Sequence, residues 1–185
     1  GWRQQELQEL NTKYFRKAID SCIEEEVEFI LFTGDLFDTA FPSIETLKQI
    51  KKKFNNNFNV ADIIGKKWMC LQEVEALHPN DFIDYCKKLR DEDQCEFYVN
   101  TRKKSMRPTV VAEQNLNELN VLGPMHVEEL ITNCKKPKLC PYEVTSMLAK
   151  DSKVIIADYN TIFNSSIRDS LFARINKKLE QCIVV

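Results

Sequence analysis

The side chains with the most chemistry to offer in this sequence are thiols. Seven cysteines in 185 residues are many for a chain whose first ten residues lack the apolar core of a signal peptide, and the odd count favours free thiols or metal ligands over disulfides. Four of them, Cys70, Cys86, Cys95 and Cys140, span the stretch from Gly65 to Tyr142, with 15, 8 and 44 residues between successive members. Thiolates are soft ligands suited to zinc or to iron–sulfur centres. This spacing has neither the paired C-x2-C of a zinc ribbon nor the compact run of a ferredoxin, so on its own it leaves the metal open. Cys134 stands six residues before Cys140 and competes with Cys86 for a place in the set. Cys22 and Cys182 lie in apolar periodic settings and read as core, which is how a free cysteine usually behaves.

Basic side chains crowd the same stretch. Lys66 and Lys67 precede the first cysteine, Lys87, Lys88 and Arg90 surround the second, and Arg102, Lys103, Lys104 and Arg107 follow the third. Nucleic acids are held mostly through their phosphates, so such clusters suit a DNA channel, and Trp68, Phe97 and Tyr98 are able to stack on bases. The plainer alternatives are solvated lysines and packing aromatics. Overall charge does not decide between them: residues 1–57 hold 8 Lys and Arg against 10 Asp and Glu, and residues 58–185 hold 18 against 18. Only four glycines occur, at 1, 34, 65 and 123, and no pair has the spacing of a G-x-x-x-x-G-K-[ST] phosphate loop. No apolar run approaches the ~20 residues of a bilayer span. The expectation is a soluble, cytoplasmic protein with no membrane partner.

The elements that would position these groups follow from periodicity. Leu7, Leu10, Tyr14, Ala18 and Cys22 mark one helical face over residues 4–26, and Val27 to Thr33 is a short apolar run of strand length. The turn Gly34 to Thr39 follows, then a helix from about Ile44 capped by Ser43. Asn55, Asn56 and Asn57 break the pattern, which puts a linker at 51–60. Val60 to Gly65 is a short apolar approach, strand-like in composition. Asp81 to Arg90 and His126 to Cys134 predict helices, with Phe82, Tyr85 and Leu89 and then Val127, Leu130 and Ile131 as apolar faces. Pro141 fits the first position of another helix. Finally Val154 to Asp158, Ser166 to Leu179 (Ile167, Leu171, Ile175 and Leu179 inward) and Cys182 to Val185 predict a parallel βαβ unit. The class is α/β and α-rich.

Two family resemblances add to this reading. Phe29-Ile30-Leu31-Phe32-Thr33-Gly34-Asp35-Leu36-Phe37-Asp38-Thr39, followed by Pro42-Ser43, resembles the second metal motif of the SbcD-type repair nucleases, which are calcineurin-like metallophosphoesterases. The resemblance covers about residues 2–48 and implies a metal-bridging role for Asp35. Two-metal hydrolysis needs several carboxylates and imidazoles around two cations. The family's Asp-x-His, Gly-Asn-His and later His motifs have no counterpart here, where the histidines are His78 and His126, so Asp35 also reads simply as a turn residue after a strand.

Lys66-Lys67-Trp68-Met69-Cys70-Leu71, Cys95-Glu96-Phe97-Tyr98, Leu139-Cys140-Pro141-Tyr142-Glu143, Val154 to Asn160 and Asn164 to Arg168 resemble, in the correct order, the xeroderma pigmentosum group D (XPD) DNA helicases over about residues 58–185. That resemblance implies a [4Fe–4S] cluster on Cys70, Cys86, Cys95 and Cys140. It also implies DNA contact at Lys66, where duplex is parted, and a motor-domain strand in Cys182 to Val185 leading toward a metal-binding acidic box. The phosphate loop, the acidic box and a second motor domain are not in the sequence, so Mg2+ and ATP belong to an intact parent helicase and no catalytic residue is assigned. The expected organisation is a nuclease-like helix–strand–helix segment (1–50), the linker (51–60), a helical four-cysteine iron–sulfur domain (61–150) and a partial motor domain (151–185). The expected function is that of a helicase fragment, inactive alone. It would bind single-stranded or junction DNA through Lys66, Lys67, Arg102, Lys103 and Lys104, with the remaining helicase domains on another chain as a further partner. The parent reaction would be ATP-dependent 5'-to-3' unwinding. The alternatives are a metal-dependent nuclease and a structural zinc module.

Overall fold

The computed structural model describes residues 27–33 and 59–184, together with positions 13, 17, 20, 21, 24, 25 and 48. Asp35, Cys22, the turn from Gly34, the helix from Ile44, most of the helix over 4–26 and most of the 51–60 linker lie outside the described residues. Four short strands form one parallel sheet: β1 (Phe29–Thr33), β2 (Val60–Ile63), β3 (Val154–Ala157) and β4 (Cys182–Val184), in the order β2-β3-β1-β4. Register sets Ile30 opposite Val154, Val60 opposite Val154 and Phe29 opposite Cys182. The strands are nearly continuous in apolar residues because both faces of the centre are covered. Phe29, Leu31, Ala61, Ile63, Ile155 and Ala157 join the main core, while the alternate residues Ile30, Phe32, Val154 and Ile156 are also buried. The final strand–helix–strand is parallel as its pattern predicts, but β3 and β4 are not neighbours: β1 lies between them.

Seven helices are present among the described residues. Four of them, α1 (Pro79–Asp91), α2 (Glu96–Thr101), α3 (Val110–Leu122) and α4 (Val127–Lys135), lie between β2 and α5 (Pro141–Asp151). After β3 come α6 (Asn160–Phe163) and α7 (Ser165–Ile175). The core joins sheet and helices through Met69, Leu119, Leu139, Val144, Leu171 and Phe172, all buried. Fully burying a side chain of this size contributes roughly 1.5–3 kcal/mol.

Periodicity misses α2, α3 and α6. The signals for α3 are its ends: the Thr109 hydroxyl accepts from the Ala112 N–H at 3.2 Å, and Gly123 at φ 85° ends the helix. Its apolar residues are spread around the axis, so Val110, Val111, Val121 and Leu122 face outward while Ala112 and Leu119 are buried. The last helix stops a turn earlier than its pattern predicts. Asn176 takes the left-handed conformation at φ 53° and caps it, as Asn can at little cost. Leu171 and Ile175 point inward as predicted, but Ile167 and Leu179 are exposed, and so is Tyr85 on α1.

Candidate metal centre and nucleic-acid interface

Three of the four candidate thiols are carried on a turn or a helix start, and the fourth, Cys86, on the middle of a helix. Cys70 closes the turn that begins at Gly65: the Trp68 N–H donates to the Gly65 carbonyl at 2.9 Å and the Cys70 N–H to the Lys67 carbonyl at 3.2 Å. Cys86 projects from α1, as its helical setting predicts, and the Arg90 Nε donates to its carbonyl at 3.3 Å. Cys95 is the residue before α2, and Cys140 the residue before α5, with Pro141 at the first helical position. The Cys140 N–H donates to the Thr101 hydroxyl at 2.7 Å and to the Phe97 carbonyl at 3.1 Å, and the buried Thr101 hydroxyl donates to that same carbonyl at 2.7 Å. These bonds pin the start of α5 to α2 and bring Cys95 close to Cys140 across the longest sequence interval.

All four thiols line one cavity of about 30 Å³, walled also by Lys66, Phe82, Arg90, Phe97, Tyr98 and Tyr142. Cys134 is not part of it. It is completely buried in the main core, and burial pushes its thiol up to about 12. The geometry therefore groups Cys86, rather than Cys134, with the other three. Burial also raises the Cys70 and Cys140 thiols, Cys140 to about 12 with the Glu143 carboxylate adding to the effect, while Lys66 acts in the opposite direction on both. Such thiols are protonated at neutral pH, and a bound cation displaces those protons. Among the described residues no three His, Cys, Asp or Glu groups converge so as to hold a single metal ion. Cys182 is half-buried against the core, with its Sγ 3.2 Å from the Leu179 carbonyl.

The basic residues separate into two kinds. The Lys66 Nζ lies 5.5 Å from the centre of the Tyr142 ring, at the cavity wall. The Lys67 Nζ sits 5.1 Å over the ring of Trp68, which is 69% exposed, and donates to the Glu75 carbonyl at 3.0 Å. Lys103 is exposed in the loop after α2, and Lys104 makes a solvent-exposed pair with Asp93 at 3.0 Å, a contact of little energetic weight. Phe97 and Tyr98 are turned into the cavity wall, which leaves Trp68 as the exposed ring of the three.

Arg102 is different. Its Nε donates to Glu143 Oε2 at 2.9 Å and its NH1 to the Met106 carbonyl at 2.9 Å, while the Arg174 NH1 donates to Glu143 Oε1 at 2.7 Å. Glu143 is completely buried. The Arg174 guanidinium also lies 5.7 Å from the Tyr142 ring centre, so Lys66, Tyr142, Arg174, Glu143 and Arg102 form a continuous ladder from the thiol cavity to α7. In the sequence Glu143 is marked only as the end of the Leu139–Glu143 motif, and Arg174 is not marked at all. An acidic residue in the first turn of a helix reads as a dipole partner, and only the tertiary fold gives it two arginines.

A second buried carboxylate, Asp62 on β2, receives the N–H of Val127 at the start of α4 at 3.2 Å and lies 3.6 Å from the His126 Nδ1, while its Oδ1 has no hydrogen-bond partner. Burial holds this carboxyl above its ordinary 3.8, at about 6, against the opposing pull of Val127 and His126. The neutral acid is thus the form the fold favours. The stability it contributes is complete below the unfolded value and is lost as pH rises through about 6, by about 1–3 kcal/mol. Asp62→Asn is expected to gain about 1–2 kcal/mol at about pH 7.5 and to match the parent at about pH 4. Urea titrations at the two pH values check this, and equal stabilities at both would mean that the carboxylate is fully satisfied.

Among the described residues no helix is long and apolar enough to cross a membrane. The DEAD_2 family matches residues 40–185. Regulator of telomere elongation helicase 1 of Rattus norvegicus is 28% identical over 106 residues, which is 56% of this chain and 8% of that protein. An uncharacterized metallophosphoesterase of Bacillus subtilis (strain 168), YhaO, is 33% identical over 73 residues, 34% of this chain and 18% of that protein. The chain thus spans under a fifth of the length of either relative. The family match covers the sheet from β2 onward and every helix that carries a candidate ligand, in agreement with the helicase resemblance, and by that match this chain belongs to the DEAD_2 family.

Proposed function

We propose that the helical region between β2 and α5 is an iron–sulfur DNA-binding module of an XPD-like DNA repair helicase, holding a [4Fe–4S] cluster on Cys70, Cys86, Cys95 and Cys140. The observation that carries the reading is the single cavity lined by these four cysteines from distant points of the chain. The resemblance of the segments around Cys70, Cys95 and Cys140 to the XPD helicases supports an iron–sulfur group over a lone zinc ion, which would need thiolates converging about 2.3 Å from one centre. When bound, the cluster supplies cross-links among four distant segments of a loop-rich region. The chain's own residues do the rest: Thr101 and the α5 N-terminus orient Cys140, and Lys66 and Lys67 present positive charge beside the exposed Trp68 ring. Elemental and sulfide analysis of anaerobically purified protein is expected to give iron and labile sulfide with broad visible absorption. Zinc without iron would return the site to a structural zinc module.

DNA binding is tested separately. Lys66→Ala with Lys67→Ala is expected to weaken single-stranded DNA binding and to flatten the dependence of log K on log salt by roughly 0.7 for each phosphate no longer neutralised. An unchanged slope would assign both lysines to ordinary surface. In the parent helicase this module would stand where strands separate during ATP-driven unwinding.

The metallophosphoesterase relative favours a second reading, in which Asp35 contributes to a nuclease-like metal site. Mn2+-stimulated DNA cleavage that disappears in Asp35→Ala is the result that would support it.

A further inference from the structure

A groove of about 950 Å³ lies between α3, α5, α7 and the loop after α2. Its charged lining comes from separate elements: Arg102 and Arg107 from the loop, Lys150 from the end of α5 and Arg174 from α7, facing Glu113 and Asp151. Even with Glu143 included, cations outnumber carboxylates. Arg102 and Arg174 are held in place by Glu143. A guanidinium has five N–H donors, so both retain donors beyond those bonded to Glu143 and the Met106 carbonyl. Arg107 and Lys150 are exposed. Between the charges the floor is apolar, with Leu116, Met147 and Ala173, and the amides of Asn117 and Asn120 line it as well.

We propose that this groove is a second contact site for single-stranded DNA, in which Arg102, Arg107, Lys150 and Arg174 hold consecutive phosphates and the apolar floor takes sugar and base edges. A duplex presents a convex surface that would bridge the mouth of such a concavity, whereas a single strand can bend into it. Among the described residues no aromatic side chain lines the groove, so the contact is led by the backbone and is independent of base sequence. Arg174 of the groove lies 5.7 Å from the centre of the Tyr142 ring, which lines the thiol cavity and has the Lys66 Nζ 5.5 Å from the same centre, so the two sites are neighbours. This inference rests on the reading of the chain as a DNA binder.

The test is fluorescence anisotropy of a labelled oligothymidylate with the full chain across a salt series. Arg107→Ala with Lys150→Ala is expected to lower affinity several-fold and to reduce the salt slope by about 1–1.5. The control removes the same charge outside the groove, at the exposed Lys135 and Lys136 of the α4 end, and is expected to leave the slope unchanged. If the control weakens binding as much as the groove variant, or if the groove variant binds like the parent, the groove site is overturned. Loss of binding in the Lys66 and Lys67 variant alone would then preserve the function proposed above while removing this site. A chain that binds no oligonucleotide overturns both.

Discussion

Cys86→Ser is expected to leave the purified protein with little or no iron and sulfide, whereas Cys134→Ser should retain both at the parental ratio. The pair is a sharp comparison because Cys134, six residues before Cys140, competes in the sequence for the place that the helicase resemblance gives to Cys86. Cys86 faces the cavity shared with Cys70, Cys95 and Cys140, while Cys134 is packed among core side chains. Losing the cluster would also remove the closure of long loops, including the 44-residue interval that ends at Cys140. By the loop-entropy reasoning applied to disulfides, a closure of that length is worth about 4 kcal/mol. Thermal unfolding of Cys86→Ser should therefore begin well below that of the parent, while Cys134→Ser loses only the packing of a small core thiol. Iron retained in Cys86→Ser and lost in Cys134→Ser would reverse the ligand assignment.

The second large effect is expected at Glu143. Glu143→Ala leaves Arg102 and Arg174 facing each other at 12% and 20% side-chain exposure without the carboxylate between them, and breaking one member of a buried ionic group costs about 3–5 kcal/mol. The damage would not stop at stability. Arg102 ties the loop after α2 through the Met106 carbonyl, and Arg174 ties α7 to Tyr142 at the wall of the thiol cavity. Guanidinium chloride unfolding, monitored together with iron content, is expected to show an earlier midpoint and weaker iron retention. A midpoint shift worth less than about 1 kcal/mol would mean that water replaces the carboxylate without penalty and that the triad is not an internal support.

Short-range chemistry determined much of this protein from its sequence. The apolar runs at Phe29–Thr33 and Val154–Ala157 are strands because alternating and continuous apolar patterns have few other ways to be buried. Pro141 starts α5 because a missing N–H costs nothing there. Cys86 on a helix and Cys140 just before one follow from the same local rules. Elements whose formation rests on end-capping rather than on one apolar face, such as α3 with Thr109 and Gly123, are poorly marked by periodicity. The end of α7 departs from its pattern because the left-handed Asn176 overrides a continuing apolar rhythm.

Tertiary structure alone decided the relations between distant residues. No pattern within a window could tell Cys86 from Cys134, since the distinction is which thiol shares a cavity with residues up to 54 positions away, from Cys140 back to Cys86. Nor could it pair Glu143 with Arg102 and Arg174, or set β1 between β3 and β4. Residue type and spacing act through local backbone preferences, which extend over a few turns. The cavity, the triad and the groove are made by packing, which brings together segments that the chain keeps far apart.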